Sequence, residues 1–475
     1  MNQSKSHIVI LPSVGISHLI PFVEFAKRLV SQHNNFHVTC IIPTNGPPPQ
    51  IAKAIVEALP TTIDAIFLPP VSFDDLVANP LAPLTLTVSR SLSSIRNVLE
   101  SLLSKTHVAA FLTNFFGIDS LDVVKELNIP SYIFFPSPAT VLSLFLHLPK
   151  LDESLSSEIR YLPETMKIPG CIPIPAEDFP GGGTFQDRKG DSFKRFLHIG
   201  KRISSVEGII VNSFTDMESG VIIALQDGAG ANNPPVYPTG PLVQTGSSSE
   251  EDRSGCLRWL DNQPLGSVLY VSFGSGGTLS RAQLCELALG LEMSEQKFLW
   301  VVRRPNDESP SAAYLSDKSQ FDPSDVLPSG FLERTEGQGL VVTSWVPQTQ
   351  ILSHGAIGGF LTHCGWNSTL ECVVFGVPQI VWPLFAEQKM NALILVEDKK
   401  VALRPKANEN GFVEREEIAK VVKELMEGEE GKRLGQRMGD LKEAAARALS
   451  KDGSSTASLS ELASKWENVE APKVE

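Results

Sequence analysis

Short apolar runs and amphipathic segments alternate along this chain. The runs fall at residues 7–12 (HIVILP), 36–43 (FHVTCIIP), 107–114 (HVAAFLTN) and 131–136 (SYIFFP), then at 208–214, 268–273, 297–303, 339–345, 358–363 and 377–384. They do not alternate with polar residues, which suits strands covered on both faces. Between them apolar positions recur at helical spacing. Leu19, Phe22, Val23, Ala26 and Val30 share one face, as do Leu284, Leu287, Ala288 and Leu291. Strand and helix in alternation predict an α/β protein with parallel sheets wound by helices.

The rhythm is interrupted at residues 244–254 (QTGSSSEEDRS), a polar, glycine- and serine-rich stretch between two β/α blocks of similar length. The expected organisation is a Rossmann-like domain over 1–243, a linker over 244–254, a second Rossmann-like domain over 255–454, and a C-terminal helix and tail over 455–475. With 475 residues the chain exceeds what one core supports. The two domains are expected to face each other across a cleft. Residues 305–324 read as a surface loop, and 414–426, 433–449 and 455–466 as closing helices.

Composition narrows the function. Hydrophobic residues at 42% and charged residues at 20% are ordinary for a globular protein. A net charge of −13 with no Lys/Arg run excludes a nucleic-acid partner. No apolar stretch reaches about 18 residues, so no membrane span is expected, and the first apolar run breaks at Pro12, too early for a signal-peptide core. The six cysteines (Cys40, Cys171, Cys256, Cys285, Cys364, Cys372) form no CxxC pair and read as reduced thiols of a cytosolic protein.

Four places carry chemistry. The turn Pro12-Ser13-Val14-Gly15-Ile16-Ser17-His18 follows the first strand and leads into a helix expected to start at Leu19. A His at a helix N-terminus is disfavoured as imidazolium, which makes His18 a candidate base; a capping or surface His is the alternative. Asp119, after Phe115-Phe116-Gly117-Ile118, can accept from the second nitrogen of His18, or else cap the helix that follows. The third place is the 44-letter segment WVPQTQILSHGAIGGFLTHCGWNSTLECVVFGVPQIVWPLFAEQ, from Trp345 to Gln388. Its centre reads strand, glycine turn, helix start, with Asn367, Ser368 and Thr369 offering an anion site and His363 within reach. Ser368 and Glu371 also match a capping box, and Trp345 is either a stacking face or a core residue. The sequon Asn367-Ser368-Thr369 lies inside this site, where a glycan would block it. The fourth place, Val271-Ser272-Phe273-Gly274-Ser275-Gly276-Gly277, lets backbone approach a phosphate. It is neither G-x-G-x-x-G nor a P-loop, and the chain has no G-x-S-x-G elbow.

The segment from Trp345 to Gln388 resembles, over its whole length, the donor-binding signature of plant family-one UDP-glycosyltransferases. HLIPFVEFAKRL, LPPVSFDDL, IPGCIPI, VYPTGPL, SVLYVSFGSGG and LALGLEMSEQKFLWVVR resemble the subgroup that glucosylates hydroquinone and other simple phenols. The resemblance implies a GT-B fold, an inverting displacement, UDP-glucose as co-substrate, no cofactor and no metal. It makes His18 the base and Asp119 its partner. Trp345 would stack on uracil and the Val346 backbone would read the base edge, while Gln348 and Glu371 would bind ribose. Ser275, His363, Asn367 and Ser368 would contact the diphosphate, and Trp366, Glu387 and Gln388 the sugar. It further implies a small aromatic acceptor, a cytosolic location and a monomer. The chain departs from the family at Val14 and Ser17, where Pro and Gly are usual, and at Glu387, where many members have Asp. A UDP-sugar sensor, an NAD-dependent dehydrogenase and a His–Asp hydrolase are the rival readings. Retention of both His18 and Asp119 disfavours the first, and the missing motifs disfavour the others.

Overall fold

The computed structural model describes residues 6–73, 82–156, 161–162, 164–180, 187–228, 233–244, 254–309 and 321–469. Residues 74–81 lie outside this set, as do most of the expected linker and 310–320 of the expected surface loop. The chain divides into two compact units. One is formed by Met1–Pro173, Gln186–Gln244 and Arg447–Glu475, the other by Ile174–Phe185 and Thr245–Ala446.

The first unit is built on β1 (Ser6–Leu11), β2 (Phe36–Ile42), β3 (Ile63–Phe67), β4 (Val108–Thr113) and β5 (Ser131–Phe135). Two short strands follow, β6 (Thr165–Met166) and β7 (Ile174–Pro175), and then β8 (Gly208–Val211) and β9 (Val236–Pro238). The main sheet runs in the order β3-β2-β1-β4-β5-β8-β9, with parallel pairing throughout. Strands β1 and β4 are buried almost end to end, as expected for strands covered on both faces.

The end of the chain returns to this unit. Leu459, Leu462, Ala463 and Trp466 of the helix Ser454–Glu467 join the core formed by Ile8, Phe22, Phe25 and Phe36. Trp466 is fully buried and meets Phe25, Phe36 and Tyr132 edge-on. Arg28 of the first helix fastens the join, donating to the Thr239 carbonyl at 2.6 Å and to Thr456 Oγ1 at 2.9 Å.

The second unit carries β10 (Val268–Ser272), β11 (Lys297–Val301), β12 (Gly339–Val342), β13 (Ile357–Thr362), β14 (Gln379–Val381) and β15 (Ala402–Leu403). Its sheet order is β12-β11-β10-β13-β14-β15, again parallel. Leu284, Leu287, Ala288 and Leu291, the face read from the sequence, pack into a core with Leu269, Val271, Trp300 and Ile418. In each sheet the central strands turn into helices at their carboxyl ends, where ligands bind in open α/β sheets. Among the described residues, no helix is long and apolar enough to cross a membrane.

Candidate active site

In the first unit β1 and β4 pair with Leu11 opposite Thr113, so the turns that follow them are neighbours. Buried hydrogen bonds stitch the turns together. Thr113 Oγ1 donates to the Leu11 carbonyl at 3.0 Å, and Asn114 Nδ2 donates to Ser13 Oγ at 2.8 Å. The helix Ile16–Gln32 starts at Ile16, not at Leu19, and its N-cap is Gly15 with φ +110°. That backbone conformation is open to glycine and strained for other residues. His18 therefore lies inside the first helical turn, its N–H bonded to the Gly15 carbonyl at 3.1 Å. Its ring stands edge-on to Phe116, 5.5 Å between centroids at 84°. Burial lowers its pKa to about 4, so the imidazole is neutral at pH 7 and has a nitrogen that can take a proton.

Asp119 holds the N-cap position of the helix Ser120–Glu126, but its side chain caps nothing. The capping alternative fails, and the carboxylate is available for other work. It accepts a hydrogen bond from Ser89 Oγ, on the helix Ala82–Arg90. Arg195 lies within electrostatic range of the same carboxylate.

In the second unit β10 and β13 pair with Ser272 opposite Thr362, which brings Ser275 and His363 onto neighbouring turns. The turns close around the His363 ring. A Cβ on Gly274, whose φ is +73°, would lie 2.6 Å from the imidazole, and one on Gly365 would lie 2.5 Å from it. Only glycine leaves room for the ring at both places. Burial lowers the His363 pKa to about 4, so the ring is neutral at pH 7, with one N–H to donate.

The helix Trp366–Phe375 begins immediately afterwards, with Gly365 as N-cap. Ser368 and Glu371 are thus interior helical residues, and the capping-box alternative is excluded. Both instead hold Gln348, the first residue of the helix Gln348–Ser353. Gln348 Nε2 donates to Ser368 Oγ at 2.9 Å and to Glu371 Oε2 at 2.6 Å, while its Oε1 accepts from Tyr270 OH at 3.3 Å. Burial raises the Glu371 pKa to about 7, against the lowering effect of the Gln348 bond. Trp345 is 49% exposed, so the core alternative for it fails and a flat face is open to stacking. Val346 and Trp366 are buried, and Asn367 is partly buried beside Ser368.

Glu387 and Gln388 open the helix Gln388–Leu393. Burial pushes the Glu387 carboxyl above its usual range. The Gln388 amide oxygen accepts from the backbone N–H of Leu384 at 2.8 Å and of Phe385 at 3.0 Å. The amide oxygen is thus committed to its own loop, and its N–H groups are what remains to offer. Asn391 Nδ2 donates to the Cys364 carbonyl at 2.8 Å and so fastens this loop to the turn before the helix Trp366–Phe375. Ser89, Tyr270 and Asn391 were not legible as site residues, because each acts through a contact distant in sequence.

One unit carries a neutral imidazole and a carboxylate on the turns after neighbouring strands, and the other an exposed indole, a buried polar cluster around Gln348 and a His packed between glycines before a helix start. Comparisons with known proteins point to one family. The family model for UDP-glucuronosyl and UDP-glucosyl transferases matches residues 245–440. The chain is 57% identical over 468 residues to hydroquinone glucosyltransferase of Rauvolfia serpentina, covering 98% of this chain and 99% of that one. It is 52% identical to UDP-glycosyltransferase 72B1 of Arabidopsis thaliana, covering 98% and 97%. The solved structure of Phytolacca americana UGT2 with UDP-2-fluoro-glucose and pterostilbene superposes with a TM-score of 0.86 at 49% identity, covering 98% and 100%. Motif and fold thus converge, and the chain belongs to the plant family-one UDP-glycosyltransferases of GT-B fold.

Proposed function

We propose that this protein transfers glucose from UDP-glucose, with inversion, to the hydroxyl of a small phenolic acceptor. The observation that carries the reading is the pairing of a neutral, buried His18 with a complete donor signature in one chain. A Rauvolfia relative named for hydroquinone and a Phytolacca structure holding pterostilbene support a phenolic acceptor. The aromatic surroundings of His18, namely Phe116 and beyond it Phe115 and Phe145, suit a planar ring.

In this reading His18 takes the phenol proton while the phenol oxygen bonds to the anomeric carbon and the bond from that carbon to UDP breaks. A phenol with a pKa near 10 needs such a base at neutral pH. Asp119, held by Ser89, balances the imidazolium that forms. Trp345 stacks on uracil, the Val346 backbone reads its edge, and Gln348 and Glu371 hold ribose. The charge gained by UDP meets the N-terminus of the helix Trp366–Phe375, the hydroxyls of Ser275 and Ser368, Asn367 and the His363 N–H. Trp366, Glu387 and Gln388 hold the sugar. These groups supply the stabilisation a metal would otherwise give, so turnover is expected to survive EDTA. The protein is further read as a cytosolic monomer. Incubation with UDP-glucose and a panel of simple phenols, monolignols, coumarins and flavonoids, read by mass spectrometry, tests the proposal. A gain of one hexose with equimolar UDP supports it, and UDP release without a glycoside overturns it.

A further inference from the structure

Gln348 stands at the centre of a hydrogen-bond chain whose direction is fixed from one end. Tyr270 is only 1% exposed, on the central strand β10, and its ring stacks on Phe360 with 4.6 Å between centroids. Burial pushes the phenol pKa up, so the hydroxyl keeps its proton throughout the working pH range. The 3.3 Å contact runs from the Tyr270 hydroxyl to the Gln348 amide oxygen, the orientation that turns the amide nitrogen to Ser368 and Glu371.

The far side of the amide follows from this. With its oxygen turned toward Tyr270, Gln348 presents both N–H groups to the helix Trp366–Phe375, reaching Ser368 Oγ and Glu371 Oε2. Because Ser368 Oγ accepts this hydrogen bond, its own hydrogen is left to donate elsewhere. Binding one oxygen of Glu371 leaves the other to accept. A flipped amide would set its oxygen against the Glu371 carboxylate, acceptor against acceptor. We infer that Tyr270 is a positioning residue for donor binding: its hydroxyl sets the orientation of the Gln348 amide, and through it presents Glu371 as an acceptor and Ser368 as a donor to the nucleotide. The inference rests on the reading of Gln348 and Glu371 as the ribose site.

The test is a double-mutant cycle with the full-length enzyme, UDP-glucose and its best phenolic acceptor at saturation. Tyr270→Phe removes one oxygen and keeps the ring that stacks on Phe360. It should raise the KM for UDP-glucose roughly five- to twentyfold with less than about a threefold fall in kcat, the pattern of a lost uniform-binding contact. Calorimetric Kd for UDP should weaken in parallel. In a Gln348→Ala background the same change should alter KM less than about twofold, because the amide it orients is gone. Melting curves on all four proteins confirm that they are folded, and Kd for UDP reports on any variant too slow to assay. If Tyr270→Phe leaves KM and Kd unchanged while Gln348→Ala raises both, the inference fails and the ribose site stands. An equal penalty from Tyr270→Phe with and without Gln348 also defeats it, since Tyr270 would then act by another route. If Gln348→Ala itself changes nothing, the ribose assignment is what fails.

Discussion

Gln348 Nε2 lies 2.6 Å from Glu371 Oε2, and this one bond opposes a burial that raises the carboxyl pKa to about 7. A consequence for donor binding follows. Ribose hydroxyls donate to a carboxylate better than to a carboxylic acid, so at the proposed ribose site UDP-glucose should bind the ionised form. The ionised fraction of the free enzyme falls as pH drops through about 7. Affinity for UDP-glucose, which has no group of its own titrating there, should therefore weaken by up to about tenfold per pH unit below that value. Glu371→Gln should bind more weakly at pH 8 and lose the pH dependence. Calorimetric titration between pH 5.5 and 8 measures this, and a flat wild-type profile contradicts it.

Gln388 allows donation and loop bracing to be separated. Its oxygen braces Leu384 and Phe385, and its N–H groups are the part left to meet a sugar hydroxyl. The wild type should prefer UDP-glucose to UDP-galactose by roughly tenfold or more in kcat/KM, since an unpaired buried polar group costs about 1–3 kcal/mol. Gln388→Glu keeps an oxygen for both backbone N–H groups and removes the donors, so it should lose the preference while keeping the wild-type melting temperature. Gln388→Ala should lose both. Competition between the two donors, with melting curves alongside, decides it. Equal use of the donors by the wild type would overturn the assignment.

A third prediction concerns stability. Gln379 is fully buried on β14, and neither atom of its amide has a hydrogen-bond partner among the described residues. A buried, unsatisfied amide costs about 1–3 kcal/mol. Gln379→Met retains the length of the side chain and removes both polar atoms. It should raise the melting temperature by several degrees, on the order of 2–4 °C per kcal/mol for a domain of this size, with kcat unchanged. A lower melting temperature would show that the amide is satisfied by buried water.

The sequence made the fold legible wherever burial is two-sided. The runs at β1, β4, β5, β10, β11 and β13 are continuous because both faces are covered. Strand β3 was missed for the opposite reason: only Ile63 is buried in IDAIF, and its edge position tolerates Asp64. The edge strand β15 is two residues long and leaves no periodicity to read. The donor segment was legible because its residues lie close together in sequence. Ser89, Tyr270 and Asn391 were not, because the bonds from Ser89 to Asp119, Tyr270 to Gln348 and Asn391 to Cys364 join residues 30, 78 and 27 positions apart. The competing roles proposed for Ser368 and Glu371 could not be separated before the N-cap was located at Gly365. The start of the first helix was placed late because Gly15, with φ +110°, caps it without a side chain that the eye can find.

The central claim is that His18 is the base of a UDP-glucose-dependent transfer, and one comparison tests it most directly. Wild-type and His18→Ala enzymes are assayed with saturating UDP-glucose and phenol, and UDP affinity is measured on both. The expected result is a loss of at least about two orders of magnitude in kcat with UDP affinity within about twofold. Asp119→Ala should lose less, because Asp119 balances charge and does not take the proton. Burial keeps His18 neutral down to about pH 4, so the wild-type rate should not fall with protonation of this residue between pH 8 and pH 6. A folded His18→Ala enzyme that binds UDP and turns over at near wild-type rate would contradict the account.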